Sequence, residues 1–201
     1  MLEHEPWILH PDYETGINGQ RICIIGYSHH RSERDFDSED FTRWVVGQHI
    51  KGELGRNSFF PHIQGYFDSA AAGFWNRVMF FNFLPDAIGI TERRYAVGSA
   101  DQVNRGGKRF LRLVDEHKPH RVFVFTTKGW HDLGPIIEKE SGKKISSLGD
   151  EFPKFSWGTY STGNHIIMAF GLRHPQYASG THLKAAVKQI LDIPLAKKVH
   201  N

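Results

Sequence analysis

The chain has 201 residues, 39% of them hydrophobic and 13% aromatic, which excludes a disordered protein and predicts a single domain over residues 1–201. Its 25 Lys and Arg against 22 Asp and Glu give a charge of +3, a mild excess that only weakly favours an anionic partner. One cysteine excludes an internal disulfide framework, and no stretch resembles a signal peptide or membrane span, so we expect a cytoplasmic protein without a membrane partner.

Four short apolar runs predict the strands of a sheet. Each run is continuous rather than alternating, a pattern typical of parallel strands that are covered on both faces. The runs are RICIIG at residues 21–26, RVMFFNF at 77–83, RVFVFTT at 121–127 and NHIIMAFG at 164–171.

Helical patterns lie between these runs and after the last one. The first is expected to begin at a Ser38 cap, and its apolar positions recur at three- and four-residue steps. The predicted helices span residues 38–52, 60–72, 101–117, 128–141 and 179–192. Alternating strands and helices predict an α/β protein, a three-layer α/β/α sandwich with a central, mainly parallel four-stranded sheet.

Polar residues follow each predicted strand. The first strand leads into GYSHH, the second ends at Asn82, the third leads into TTKGWHDL and the fourth into GLRHPQYASG. Taken singly, Ser28, Asn82 and His174 have ordinary interpretations as turn, cap or bend residues. Because ligands bind beyond the carboxyl ends of parallel strands, the four segments together favour a site at that edge of the sheet.

These strand ends resemble the motifs of the uracil-DNA glycosylase superfamily. The resemblance rests on a strand ending in a loop led by Gly26, a strand ending in FFN at residues 80–82, and a strand leading into His174 and Pro175. It covers residues 21–191, and the order and spacing of the motifs carry it. The first loop is similar to the uncharacterised bacterial branch, which has Gly-x-Ser-His where active enzymes have Gly-Gln-Asp-Pro-Tyr. The resemblance implies a uracil-DNA glycosylase-like fold.

The resemblance also implies a protein that reads a base taken out of its stack, by hydrogen bonds and aromatic stacking. Asn82 matches the base-reading Asn, whose amide offers a donor and an acceptor to one pyrimidine edge. His174 matches the His that donates a hydrogen bond to the departing base anion. Phe59 or Phe60 is the expected stacking platform, with core packing of the pair as the alternative.

Three residues are candidates for contacts with nucleic acid. Lys128 and Arg173 are expected to contact phosphates, or to be solvated loop charges. Tyr177 lies where the Ser-Pro-Leu sequence of the active enzymes enters the duplex, and it is expected either to insert or stack, or to cover the edge of the sheet.

The first loop departs from the active enzymes at Ser28. The resemblance aligns Ser28 with the water-activating Asp, and a neutral hydroxyl cannot supply the anion that stabilises an oxocarbenium-like sugar. Ordinary uracil excision is therefore in doubt. With His174, the catalytic candidates are Ser28 and His29, and His29 or the adjacent His30 is a candidate general base. Asp86 is a candidate substitute for the missing carboxylate.

The 13 His residues raise the question of a metal site. No pair of them has the helical i, i+4 spacing together with the Glu of a zinc motif, and there is no pair of Cys. The glycines of NRGGKRF at residues 104–110 lack the spacing of a phosphate-binding loop. We therefore expect neither a metal nor a cofactor.

Three functions remain open from the sequence. The first is an N-glycosylase acting on a damaged or unusual base in DNA, or on a free nucleoside. The second is a non-catalytic module with the same pocket that binds a base, a nucleotide or a single strand. The third is a serine hydrolase using Ser28 and His174, ranked last because GYSHH lacks the Gly-x-Ser-x-Gly turn and no Asp partner is assignable.

Overall fold

The computed structural model describes residues 1–29, 37–54, 59–67, 73–88, 97–141, 155–162 and 165–195. These residues form a mixed α/β fold with one five-stranded sheet. Its strands are β1 (Ile22–Gly26), β2 (Val78–Asn82), β3 (Arg121–Val124), β4 (Ser156–Thr162) and β5 (His165–Gly171).

The order of the strands across the sheet is β2-β1-β3-β5-β4. β1 pairs in parallel with β2 and β3, and β3 pairs in parallel with β5. β4 pairs with β5 in the antiparallel direction. The four predicted strands and the mainly parallel sheet are confirmed, but the predicted number of strands is wrong, because β4 adds a fifth.

Six α-helices are present in the described part of the chain. They are α1 (Asp12–Thr15), α2 (Phe41–Ile50), α3 (Phe59–Tyr66), α4 (Ala100–His117), α5 (Thr127–Ser141) and α6 (Gly180–Asp192). All five predicted helices are present, and the short α1 is an addition. Asp40 rather than Ser38 occupies the cap position of α2. The end predicted for α3, at residues 68–72, lies outside the described residues.

Two hydrophobic clusters lie on the two faces of the sheet. Alternate strand residues point to opposite faces, so Ile24 and Phe80 pack with α2, α3 and α6, whereas Ile25 and Phe81 pack with α4 and α5. All four side chains are at most 1% exposed. Burial on both faces explains why the parallel strands read as continuous apolar runs.

The first residues of the chain run along the outer side of β2. Trp7 and Phe80 exchange two backbone hydrogen bonds of 2.8 Å, so this segment covers one edge of the sheet. We call residues 2–8 the N-terminal arm. Across the described ranges, each helix falls short of the length and apolarity that crossing a bilayer requires.

Candidate functional site

The loops that follow β1 and β2 run side by side at the carboxyl edge of the sheet. Phe83 N donates to Gly26 O and Leu84 N donates to Tyr27 O, both at 2.9 Å. Gly26 and Asn82, the last residues of their strands, are partners in the sheet register. The backbone therefore fixes the positions of these two strand ends relative to each other.

Asn82 places its side-chain amide directly over Gly26. A Cβ built on Gly26 would be 2.2 Å from Asn82 Oδ1 and 3.7 Å from Phe59 Cζ, so the amide and the Phe59 ring share this space. Asn82 is 5% exposed. Its side-chain amide nevertheless makes no hydrogen bond to another group in the described part of the chain. Neither amide atom is among the described side-chain atoms that are fully buried without a partner, so the amide keeps access to the surface and is available to a ligand.

The backbone carbonyl group of Asn82 is bound by Arg109 of α4. Arg109 Nη1 donates to Asn82 O at 2.8 Å and Nη2 donates to His4 O, while the guanidinium lies 5.1 Å from the centre of the Phe81 ring. Burial lowers the pKa of Arg109 to about 10 and the nearby Glu3 raises it, so the side chain is charged at neutral pH. Arg109 thus connects the end of β2 to the N-terminal arm.

His174 lies next to Phe59, with the two ring centres 5.5 Å apart. His174 Nδ1 accepts a hydrogen bond from Gln176 N at 3.2 Å, as the cap of the short 3-10 helix Pro175–Tyr177. Burial lowers the pKa of His174 below its ordinary value of 6.5. We therefore assign a neutral ring with its proton on Nε2, because Nδ1 is occupied as an acceptor. Nε2–H is a donor that the loop holds in place.

The structure thus brings three predicted residues together: Asn82 and Phe59 over Gly26, and His174 against Phe59. Phe60 does not belong to this group. It is 3% exposed and packs in the core against Trp75 and Phe80, so its position matches the core-packing alternative.

Ser28 and His29 have different environments although they are adjacent. Ser28 is half-buried, and its hydroxyl makes no hydrogen bond within the described ranges. His29 is 8% exposed, and its Nε2 lies 2.9 Å from Thr42 Oγ1, while its ring packs edge-on against Phe41. His29 is therefore engaged with α2 rather than with Phe59 and His174. The alternative base, His30, lies outside the described residues.

Asp86 is held against α4. Gln102 Nε2 donates to Asp86 Oδ1 at 2.5 Å, and Arg105 Nη2 lies 2.7 Å from Asp86 Oδ2. Both carboxylate oxygens are thus used to anchor the loop after β2. This arrangement does not favour Asp86 as a substitute for the carboxylate that Ser28 replaces.

The three candidates for nucleic-acid contacts differ in how accessible they are. Lys128 forms an ion pair with Asp132 at 3.1 Å. Burial lowers the pKa of Lys128, but Asp132 and Tyr27 outweigh this effect and raise the pKa above its ordinary value. Arg173 is exposed. Tyr177 is 60% exposed, and its ring centre is 5.7 Å from that of His174. Tyr177 is therefore an exposed aromatic ring beside His174.

Among the described residues, no group of three or more His, Cys, Asp or Glu side chains is arranged to hold a metal ion. The sequence analysis missed Arg109. The sequence does contain an indication of its role, because Arg109 lies on the same helical face as Phe110 and Leu113. A charged residue on an apolar face indicates a buried partner.

Comparisons with known proteins found similarity to solved structures. No family model and no curated protein matches the chain. A domain of unknown function (DUF1537) from Bordetella bronchiseptica, a domain-swapped dimer with bound citrate, is similar with a TM-score of 0.39 and 12% sequence identity. The match covers 84% of this chain and 40% of the other, so the chain spans well under half the length of that protein.

Proposed function

We propose that the chain binds a nucleobase, flipped out of a nucleic acid or free, between the Asn82 amide, the Phe59 ring and His174. The observation that carries the proposal is the Asn82 amide, which is 5% exposed, lies over Gly26 and has no hydrogen-bond partner among the described residues. In this proposal the fold is a three-layer α/β/α sandwich of the uracil-DNA glycosylase type.

Each of the three side chains has a distinct part in recognition. The Asn82 amide offers one donor and one acceptor to the edge of a base, and the Phe59 ring beside it adds apolar contact. Neutral His174 offers Nε2–H to a carbonyl oxygen of the base. A neutral His does not bring a positive charge into the pocket, which suits an uncharged base.

Hydrolysis of the N-glycosidic bond is the second candidate function. One observation favours it: His174 Nδ1 accepts from Gln176 N beside Phe59. The Nε2–H assigned on that ground would stabilise negative charge on a departing base. Ser28 would lie near the sugar and position water there, without the charge of a carboxylate. Ordinary uracil excision is for that reason not part of the proposal.

A nucleic acid is the proposed source of the base. Tyr177 and Arg173 are exposed beside His174, where an aromatic ring could stack on a neighbouring base and a guanidinium could contact a phosphate. Lys128 contributes less in this proposal, because its charge is already paired with Asp132.

The test uses oligonucleotides that carry uracil, hypoxanthine or oxidised bases. Binding is measured by fluorescence anisotropy, and base release is detected by alkaline cleavage of the abasic sites. We expect binding that weakens with salt and is at least tenfold weaker in Asn82→Ala and His174→Ala. The matched control is His182→Ala, which removes an exposed His from α6. Equal affinity in all variants would refute the proposal that Asn82 and His174 bind the base.

The same experiment separates the two candidate functions. Strand cleavage that disappears in Asn82→Ala and His174→Ala supports hydrolysis, whereas binding without cleavage supports a non-catalytic module. A free nucleoside that competes with the oligonucleotide identifies the base as the recognised group. Turnover of a p-nitrophenyl ester lost in Ser28→Ala would instead support the serine hydrolase.

A further inference from the structure

β4 forms an edge of the sheet. All seven of its residues pair with β5 in unbroken register, from Ser156 with Gly171 to Thr162 with His165. On the other side of β4, no strand from the described residues is paired. Its outward N–H and C=O groups are therefore a template on which a further strand could pair.

The two edges of the sheet differ in whether a described segment of the chain covers them. At β2, the N-terminal arm covers the edge through the backbone hydrogen bonds between Trp7 and Phe80. At β4, the sequence SWGTYST contains no Lys, Arg, Asp, Glu or Pro. Charged residues, prolines and bulges are the usual features that prevent edge strands from pairing with another chain. β4 has none of these features.

We infer that β4 pairs with β4 of a second copy of this chain, so that two sheets join into one across a two-fold axis. In antiparallel pairing about a two-fold axis, the central residue lies opposite its own copy, and every other residue lies opposite one equally far on the other side of the axis. A charge at the axis would therefore meet a like charge. β4 carries none, which makes it compatible with itself. Full overlap of the seven residues places the axis at Thr159, the middle residue of the strand.

None of the seven residues of β4 belongs to the candidate site. β4 and β2 are the two opposite edges of the sheet, and the end of β2 carries Asn82. The inference is consequently independent of the proposed function, and each can fail without the other.

A cysteine at the axis tests the inference directly. In antiparallel strands, opposed residues have Cα atoms roughly 4.5 to 5.5 Å apart, a separation that a disulfide can span. Cys23, the only natural cysteine, is fully buried. We expect Thr159→Cys to form a disulfide-linked dimer under mild oxidation. The control Glu116→Cys, on an exposed face of α4, should stay unlinked.

Charge variants at the same position give a second test. Sedimentation velocity should find the natural chain dimeric and Thr159→Lys monomeric, with an unchanged circular dichroism spectrum. Mixing Thr159→Lys with Thr159→Glu should restore the dimer, because opposite charges then meet at the axis. A monomeric natural chain, a dimer that persists in Thr159→Lys, or crosslinking of Thr159→Cys no faster than the control would overturn the inference.

Discussion

The amide of Asn82 lies so close to Gly26 that a single methyl group on Gly26 could not be accommodated. The Cβ of an alanine at this position would be 2.2 Å from Asn82 Oδ1, well inside van der Waals contact. Glycine is therefore needed at position 26 because there is no room for a side chain, and not because the backbone makes a turn there. Asn82 and Gly26 act as one unit at the ends of β2 and β1.

Gly26→Ala should displace the Asn82 amide and weaken nucleobase binding by more than tenfold. Overpacking of this kind costs about 1–3 kcal/mol in the free energy of unfolding. The control is Gly47→Ala in α2, where a Cβ meets nothing within 4 Å and helix propensity should add about 0.5–1 kcal/mol. Urea unfolding and anisotropy measure the two effects. Unchanged affinity in Gly26→Ala would contradict the role of Asn82.

Binding should depend on pH through His174. Burial lowers the pKa of His174 below its ordinary value of 6.5, so the neutral ring predominates above pH 6.5, and affinity should level off as the pH rises. At more acid pH the ring gains a proton on Nδ1, which then opposes the N–H of Gln176. Affinity should fall in that range, as measured by titrations across pH. The His174→Gln variant should lack this acid decrease, and an identical decrease would assign it to another group.

The free energy of unfolding should also fall in acid. Burial lowers the pKa values of His49, His117 and His120 in the folded protein, so the unfolded chain binds protons more readily. Their contribution is fully present above pH 6.5 and is lost as the pH falls below 6.5 toward the lowered values. Urea unfolding at several pH values measures the slope. His120→Gln should reduce the slope, and an unchanged slope would exclude His120 as a contributor.

Arg109→Met should destabilise the protein strongly. The carbonyl oxygens of Asn82 and His4 would lose their donor, and leaving a buried polar group unpaired costs about 1–3 kcal/mol each. The control is Arg112→Met on the same helix, where the side chain is 55% exposed and pairs with Glu3 at the surface. Surface ion pairs contribute about 0–1 kcal/mol. Similar unfolding free energies in the two variants would show that Arg109 is not structurally special.

The parallel strands could be predicted from the sequence, but β4 could not. β1, β2, β3 and β5 are buried on both faces and therefore leave continuous apolar runs. β4 reads SWGTYST, in which six residues are small or hydroxylated, and it is half-exposed at the edge. Its strand character comes from pairing with β5, a tertiary interaction that is not visible in local composition.

The site could be predicted only in part, for a similar reason. Asn82 and His174 lie at strand ends, and the parallel sheet brings such ends to one edge. His29 follows Ser28 in sequence, but its ring turns toward Thr42 and α2, a direction that the sequence does not determine. Phe59 and Phe60 are likewise neighbours in α3, and helical geometry sends one to the site and the other to the core.

The position of β1 has a consequence for folding kinetics. β1 lies between β2 and β3, so it gains its hydrogen-bond partners only when strands from much later in the chain arrive. Such non-local pairing makes folding slower than in a helical bundle of equal size. Since Gly26 and Asn82 become neighbours in that same step, refolding chains should regain ligand affinity and sheet structure in one kinetic phase.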